Sequence, residues 1–380
     1  MKKIAVYLGA APEWGGSFQY ARALVKGLAS LPPGTAEVRC YCENPVWRSY
    51  LEKFGFAHET TARGKPFLIA RLLRSLHKRI RRERFAAFSD ANRRISAWRP
   101  DLLVSGQPDY FPLPGKCRQI APIHDLMHIH ERGFPEVGSK GEIRKRDGVF
   151  SGIVRHCDVI LVDSRLGGEH VLSSYPAKAE QIRVLPYSAA ESLLLAEPRR
   201  PEGVDGSGKF MFYPAQFWEH KNHVRMAEAM AIARRECPDL RCVFTGSTKY
   251  GGYRLFRRKC GELGLDGAAT VLGYVGEGEI SWLYRRARCL FLPTFFGPTN
   301  IPPLEAMALG CPVAASRVYA MPEQCGDAAI YFNPLDVREM ADVMVRLWRD
   351  DELCSESREK GGRRSHEWNE KKMAEMFGEI

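Results

Sequence analysis

The stretch Phe295-Phe296-Gly297-Pro298-Thr299-Asn300-Ile301-Pro302-Pro303-Leu304-Glu305-Ala306-Met307-Ala308-Leu309-Gly310-Cys311-Pro312-Val313-Ala314-Ala315-Ser316 decides how the rest of the chain is read. It follows an apolar run, Arg288–Pro293, that reads as a buried strand. A Gly/Pro/Asn turn comes next, then a short helix opened by Pro302 and Pro303 and closed by Gly310. Proline suits the first turn of a helix, where its missing N–H has no intrahelical partner, and glycine suits the position just past the end. A second buried strand, Pro312–Ala315, follows directly. Strand, polar turn, helix start and strand form the unit in which an α/β sheet offers backbone N–H groups to an anion. Glu305, one turn inside, is a carboxylate suited to accept hydrogen bonds from hydroxyl groups.

Working outward, the same alternation recurs on both sides. Upstream, strands are expected at Lys3–Leu8, around Glu37–Tyr41, within Arg99–Ser105 and Gln119–Asp125, at Cys157–Ser164 with a polar end, and at Arg183–Tyr187, with helical patterns between them. A loop, Gly9–Ser17, follows the first strand and leads into a helix carrying Tyr20, Ala21, Leu24, Val25 and Leu28 at helical spacing. Between Glu197 and Lys209 the composition turns to Pro, Arg, Gly, Ser and Asp, which reads as a linker. The pattern then restarts with strands at Phe210–Pro214, Leu240–Gly246 and Thr270–Leu272. Helices are expected at Asn222–Arg235, Tyr253–Leu263, Glu277–Arg286 and Val337–Trp348. In the first of these, Val224, Met226, Ala227, Met230 and Ala231 form the expected inward face. The expected class is α/β: two doubly wound Rossmann-like domains, residues 1–195 and 209–362, joined by a linker at 196–208 and followed by a tail helix at 363–380. Ligands of such domains bind outside the carboxyl ends of the strands, in a cleft between the two sheets.

Composition sets outer limits. The 380 residues hold 45% apolar and 27% charged side chains, an ordinary globular mix with ample core for two domains. No apolar run approaches the roughly 18–20 residues that cross a bilayer. Met1–Leu8 reads as a first strand rather than a secretion signal. The 11 cysteines are scattered, with neither a CxxC pair nor His/Cys ligand spacing, so a reducing compartment is expected, with no disulfide frame or zinc site. The net charge of +11 calls for an anionic partner: nucleic acid, lipid or an anionic substrate.

Pro302-Pro303-Leu304-Glu305-Ala306-Met307-Ala308, Gly310–Ser316, Met321-Pro322-Glu323 and Gly326-Asp327-Ala328-Ala329 together resemble the donor-site signature of the family-4 retaining glycosyltransferases, which have the GT-B fold. The resemblance is strong over 285–335, moderate over 210–225 and 120–125, and weak elsewhere. Two positions depart from it. The family carries two glutamates separated by seven residues, and Gly297 occupies the first position here. The segment Tyr213–Asn222 resembles the family's Gly-Arg-Leu…Lys-Asn segment, with Gln216 in place of the arginine; a glutamine donates a hydrogen bond but does not neutralise a phosphate. Arg225 is the nearby cation considered for that missing charge.

The resemblance implies a nucleotide-sugar donor carrying UDP, GDP or dTDP, with its diphosphate on the Thr299, Asn300, Ile301 and Pro302 helix start and on Lys221. It gives Glu305 the ribose and His124 the border of the sugar. Gly15 and Gly16 resemble the family's N-terminal glycine loop. Gly246, and Tyr274 with Val275, resemble the loops that hold base and ribose. Thr299 and Asn300 are the candidates to replace the missing first glutamate. Considered alone, Lys221 is more often a solvated lysine and His124 more often a structural histidine; the segments around them favour function. His124, His128 and His130 match no zinc spacing, and no Asp-x-Asp occurs, so neither a bound metal nor another cofactor is expected.

The basic amphipathic run containing Arg74, Lys78, Arg79, Arg81 and Arg82 reads either as a core-packed helix with a solvated face or as a surface for anionic lipid or a lipid-diphosphate acceptor. Nucleic acid ranks behind both, since no RNP motif, zinc finger or basic heptad is present. The expected activity is transfer of a hexose, mannose- or rhamnose-type, to a lipid-linked or polysaccharide acceptor in surface-polysaccharide assembly. That places the protein in the cytoplasm, on the inner face of the membrane. Other nucleotide-sugar chemistry, such as epimerisation, and non-catalytic binding are the alternatives.

Overall fold

The structure is a computed structural model that describes residues 1–12, 15–62, 89–113, 115–297, 299–367 and 369–379. The basic run with Arg74, Lys78, Arg79, Arg81 and Arg82 lies outside the described residues. The chain divides into two units: Met1–His128 with Lys140–Pro186 and Lys371–Ile380, and Ile129–Ser139 with Tyr187–Glu370.

In the first unit, strands β1 (Lys2–Leu8), β2 (Ala36–Cys42), β3 (Ala57–Thr60), β4 (Leu102–Ser105), β5 (Arg118–Pro122), β6 (Val159–Val162) and β7 (Ile182–Val184) form a sheet ordered β3-β2-β1-β4-β5-β6-β7. All its pairings are parallel. Strands buried on both faces read as near-continuous apolar runs, and Val159–Val162 is buried at every position. The closing helix, Glu370–Gly378, belongs to this unit. A Cβ on Gly27, in the helix Gly16–Ala29, would lie 3.1 Å from the Phe377 ring, so the two helices meet there with little room to spare.

The second unit holds β8 (Met211–Pro214), β9 (Cys242–Thr245), β10 (Ala269–Val271), β11 (Cys289–Leu292), β12 (Val313–Ser316) and β13 (Ala329–Phe332), ordered β10-β9-β8-β11-β12-β13, again parallel throughout. In both sheets the order reverses beside the first strand, and such a switch point opens a crevice at the strand ends. The core of this unit gathers the apolar faces of β8, β9, β11 and β12, with Phe291 stacked on Phe332 at 4.6 Å.

Four expectations need correction. The boundary falls after Pro186, not at 195, because Leu193 on the helix Glu191–Leu195 is buried in the second unit's core. The segment expected as a linker is tied down: Val204 is in that core, and the Arg199 N–H donates to the Gly278 carbonyl. On the helix His223–Ala233 the fully buried residues are His223, Met226, Ala227, Ala229, Met230 and Ala233, while Val224 and Ala231 are half-buried. Residues 363–367 lie in the helix Asp351–Glu367 of the second unit, so the tail joins the first unit only from Lys371.

Candidate functional site

The crevice of the second sheet opens between the loops that follow β8 and β11. After β8 the chain makes a 3-10 turn, Glu219–Lys221, and then a left-handed residue, Asn222, at φ 60° and ψ 30°. The Asn222 amide donates to the carbonyls of Pro293 (2.9 Å) and Pro334 (3.0 Å), which ties this loop to those after β11 and β13. The Tyr213 hydroxyl donates to the Lys221 carbonyl at 2.8 Å. Lys221 is thus anchored by its main chain, and its ammonium donates to Asn300 Oδ1 at 3.1 Å.

The loop after β11 is built around that asparagine. Asn300 is buried, its N–H donates to Gln324 Oε1 (2.9 Å), and its carbonyl accepts from the Gln324 amide. Its own side-chain amide faces the Gly297 carbonyl at 3.3 Å. The expectation that Asn300 offers a backbone N–H to an anion is therefore corrected: that donor is spent on Gln324. Ile301 begins the helix Ile301–Ala308, and Pro302 and Pro303 behind it have no N–H. Of the donors that a helix start ordinarily presents, Ile301 is what the first three helical positions retain. Thr299 is half-buried in the same turn.

Gly297 explains the missing glutamate. It sits at φ +125°, where a side chain is strained, and a Cβ there would lie 2.7 Å from the Asn300 amide nitrogen. Asn300 and a side chain at 297 compete for one volume. Restoring the family residue by Gly297→Glu is expected to lower donor affinity rather than raise it, because it displaces Asn300 from Lys221. Titration of nucleotide into the variant, alongside its unfolding curve, checks this.

Glu305 is 7% exposed, and its Oε2 accepts from the Tyr284 hydroxyl at 2.8 Å. Burial, and then the Glu305 charge, push the Tyr284 phenol well above its ordinary range, so it stays a donor. Tyr284, on the helix Glu277–Arg286, was not singled out from the sequence as a site residue; the inward spacing of Leu283 and Tyr284 was the available signal. Tyr284→Phe is expected to cost about 1–3 kcal/mol of stability by leaving a buried charged oxygen short of a partner, read as a shift in a urea midpoint.

The remaining second-unit residues divide. Gln216 Oε1 accepts from the Ser247 N–H at 2.8 Å, so the group standing where the family has arginine braces the turn after β9. In that turn Gly246 is at φ +127°, with its Cβ direction 2.3 Å from the Ala215 carbonyl oxygen. Tyr274 is 70% exposed, and Val275 beside it is half-buried and packs against the core. Arg225 places its guanidinium over the Phe295 ring, 5.3 Å from the centroid.

Residues 196–364, which carry all of these groups, match the family model of glycosyl transferases group 1. The likeness to that family is carried by this segment, which is less than half of the chain. Over 86 residues the chain is 36% identical to the O-antigen chain mannosyltransferase B of Escherichia coli, covering 23% of each protein. It is 22% identical to the serotype-specific mannosyltransferase WbdA of Escherichia coli over 246 residues, 63% of this chain and 29% of WbdA. The chain thus spans less than a third of the length of these two curated relatives. Anabaena HepE, solved in complex with UDP-glucose, superposes with a TM-score of 0.72 at 13% identity, covering 100% of this chain and 99% of HepE. That likeness shows the fold, which is the GT-B class.

The matched segment does not contain His124, which lies in the first unit just past β5. Its Nδ1 is 3.1 Å from Asp163 Oδ1, and Asp163 is buried at the end of β6. A carboxylate only accepts, so Nδ1 carries the proton and the tautomer is set. The Tyr20 ring packs edge-on against the imidazole at 4.8 Å. Asp163 was legible only as the polar end of a strand. Asp125 has a different duty: burial opposes its charge, but Arg146, at 2.6 and 3.0 Å, outweighs burial and holds the carboxyl below its ordinary value. His128 is fully buried against Asp147 and Tyr175, and the described residues contain no group of three His, Cys, Asp or Glu placed to hold a metal. Gly15, at φ +53°, stands just before the helix Gly16–Ala29, with nothing within 4 Å of its Cβ direction.

Proposed function

We propose that the protein is a retaining, metal-independent glycosyltransferase of the family-4 type that takes a hexose from a nucleotide sugar. The observation that carries this reading is that the segments after β8 and β11, the two strands at the switch point, supply an anchored ammonium (Lys221) and a buried carboxylate (Glu305), each held by its own protein partner. The ammonium is a compact point charge suited to the leaving diphosphate, and the carboxylate suits ribose hydroxyls. Lys221, the Ile301 N–H and the helix dipole stabilise the charge that develops on the diphosphate. The acceptor attacks on the face from which the diphosphate departs, and a phosphate oxygen helps to take its proton. His124, held in one tautomer by Asp163, borders the sugar.

The acceptor in this reading is a saccharide, lipid-linked or polysaccharide, in surface-polysaccharide assembly at the inner face of a membrane. Two named relatives, an O-antigen chain mannosyltransferase and a serotype-specific mannosyltransferase, support that class and favour mannose. No helix among the described residues is long and apolar enough to cross a membrane.

Thermal unfolding with UDP, GDP, dTDP and their sugars tests the donor. Binding to the folded state raises stability by about 2.7 kcal/mol at a hundredfold excess over Kd, so one nucleotide class is expected to raise Tm. Absence of a shift with every nucleotide would overturn the reading. A bound nucleotide sugar that never turns over with any acceptor would instead mark a non-catalytic binder.

A further inference from the structure

The second unit holds another concave site, which the donor reading leaves unused. At the C-terminal ends of β11, β12 and β13 lies an open pocket of about 720 Å³, within the ~300–1,000 Å³ of small-molecule sites. Phe134 and Phe295 supply an aromatic wall, with centroids 5.5 Å apart and planes tilted by 32°. The polar lining includes Glu131, Arg317, Tyr319 and Asn333.

Tyr319 is the informative residue. Among the described residues, three non-glycines have positive φ: Arg99, Asn222 and Tyr319, the last at +47°. Arg99 closes the helix Asp90–Trp98, and Asn222 ties three loops together. Tyr319 points its hydroxyl at Glu131, to which it donates a hydrogen bond, so two pocket-lining groups are held together by a backbone in a sparsely populated conformation. Such backbone strain concentrates at functional sites. Arg317 is exposed, with its guanidinium over the Tyr331 ring at 4.9 Å and no ion pair among the described residues.

The chemistry narrows the ligand. Aromatic faces take the C–H face of a sugar ring. Glu131 accepts from hydroxyls, and Arg317 and Asn333 donate to them. A nucleotide phosphate finds no helix start here, since the helix after β12, Met321–Cys325, is one short turn with proline in its first positions. A lipid tail would offer the Arg317 guanidinium no hydrogen-bond acceptor.

We propose that this pocket is a saccharide-binding subsite that holds the acceptor chain. The inference rests on the reading of the protein as a glycosyltransferase. Its test uses the full chain, with methyl α-mannopyranoside and methyl α-glucopyranoside as probes, followed by saturation-transfer NMR. Arg317→Ala, at an exposed position, and Phe134→Ala are compared with the parent. Saccharide affinity is expected to fall about tenfold in both, while the thermal shift given by nucleoside diphosphate is unchanged. In turnover, the acceptor KM rises and the donor KM does not. A parent protein that binds neither glycoside, or variants that bind as the parent does, would overturn the proposal. Loss of nucleotide binding in the variants would overturn it as well. Failure of the glycosyltransferase reading is separate: there, the parent protein shows no shift with any nucleoside diphosphate.

Discussion

Lys221→Ala is expected to lower the transfer rate by a hundredfold or more while leaving the fold intact. The reason lies in the number of donors around the helix start. Pro302 and Pro303 have no N–H, and the Asn300 N–H is spent on Gln324. The group that stands where the family has arginine, Gln216, braces Ser247 instead. In the proposed reading, positive charge at the leaving group is therefore concentrated in one ammonium. Removing a single preorganised donor costs about 3 kcal/mol in the transition state, and here few others share the duty. Lys221 is half-buried, and its main chain is held through Tyr213 and through Asn222 beside it, so truncating the side chain spares the turn. Lys221→Arg tests geometry separately from charge, because a planar guanidinium does not reproduce a point charge held by Asn300. Steady-state kinetics with the donor identified by thermal shift checks this. Unchanged kcat/KM in Lys221→Ala would remove the donor-site assignment.

The second large effect concerns stability. His223, two residues beyond Lys221, is buried among Tyr213, Phe217, Phe244 and Phe256, and neither ring nitrogen has a hydrogen-bond partner. Burial, then the charges of Lys221 and His220, push its pKa down to about 3. In the unfolded chain an ordinary histidine titrates near 6.5. The folded-state value is the depressed one, so between these pH values the unfolded chain binds a proton that the folded chain refuses. The contribution to stability is fully present above about pH 6.5 and is lost as pH falls towards 3. At 1.36 kcal/mol per unit, the loss over that window is about 5 kcal/mol, comparable to the whole stability of many domains. His223→Phe removes the titration and the unpaired ring nitrogens together. Between pH 6.5 and 4.5 the urea midpoint of the variant is expected to fall less than that of the parent, the remainder coming from other groups such as the buried His128, whose pKa burial also lowers. An identical pH dependence in the two proteins would contradict this account.

Much of the fold was legible because buried parallel strands read as short apolar runs between polar loops: Cys289–Leu292, Cys242–Thr245 and Val159–Val162 are buried at every position. Ala57–Thr60 was not, since an edge strand of Ala, His, Glu and Thr with half-exposed faces carries no such signal. Ala329–Phe332 was hidden behind the Gly-Asp-Ala-Ala motif that precedes it. Lys221 and Glu305 could be read because their neighbours in sequence set their context. Tyr284, Gln324 and Asp163 could not, because each acts on a residue more than twenty positions away and only the tertiary fold brings the pair together. The turn 297–300 shows the limit most clearly. Asn300 was named as a replacement for the absent glutamate, and it does face the lysine, but through its side-chain carbonyl and not through a free backbone donor.

The position of a bound nucleoside diphosphate in crystals of this protein tests the central claim most directly. The account predicts the terminal phosphate on Lys221 Nζ at the start of the helix Ile301–Ala308, and ribose hydroxyls on the Glu305 carboxylate. A nucleotide seated elsewhere, with Lys221 and Glu305 bonded only to protein groups, would contradict it.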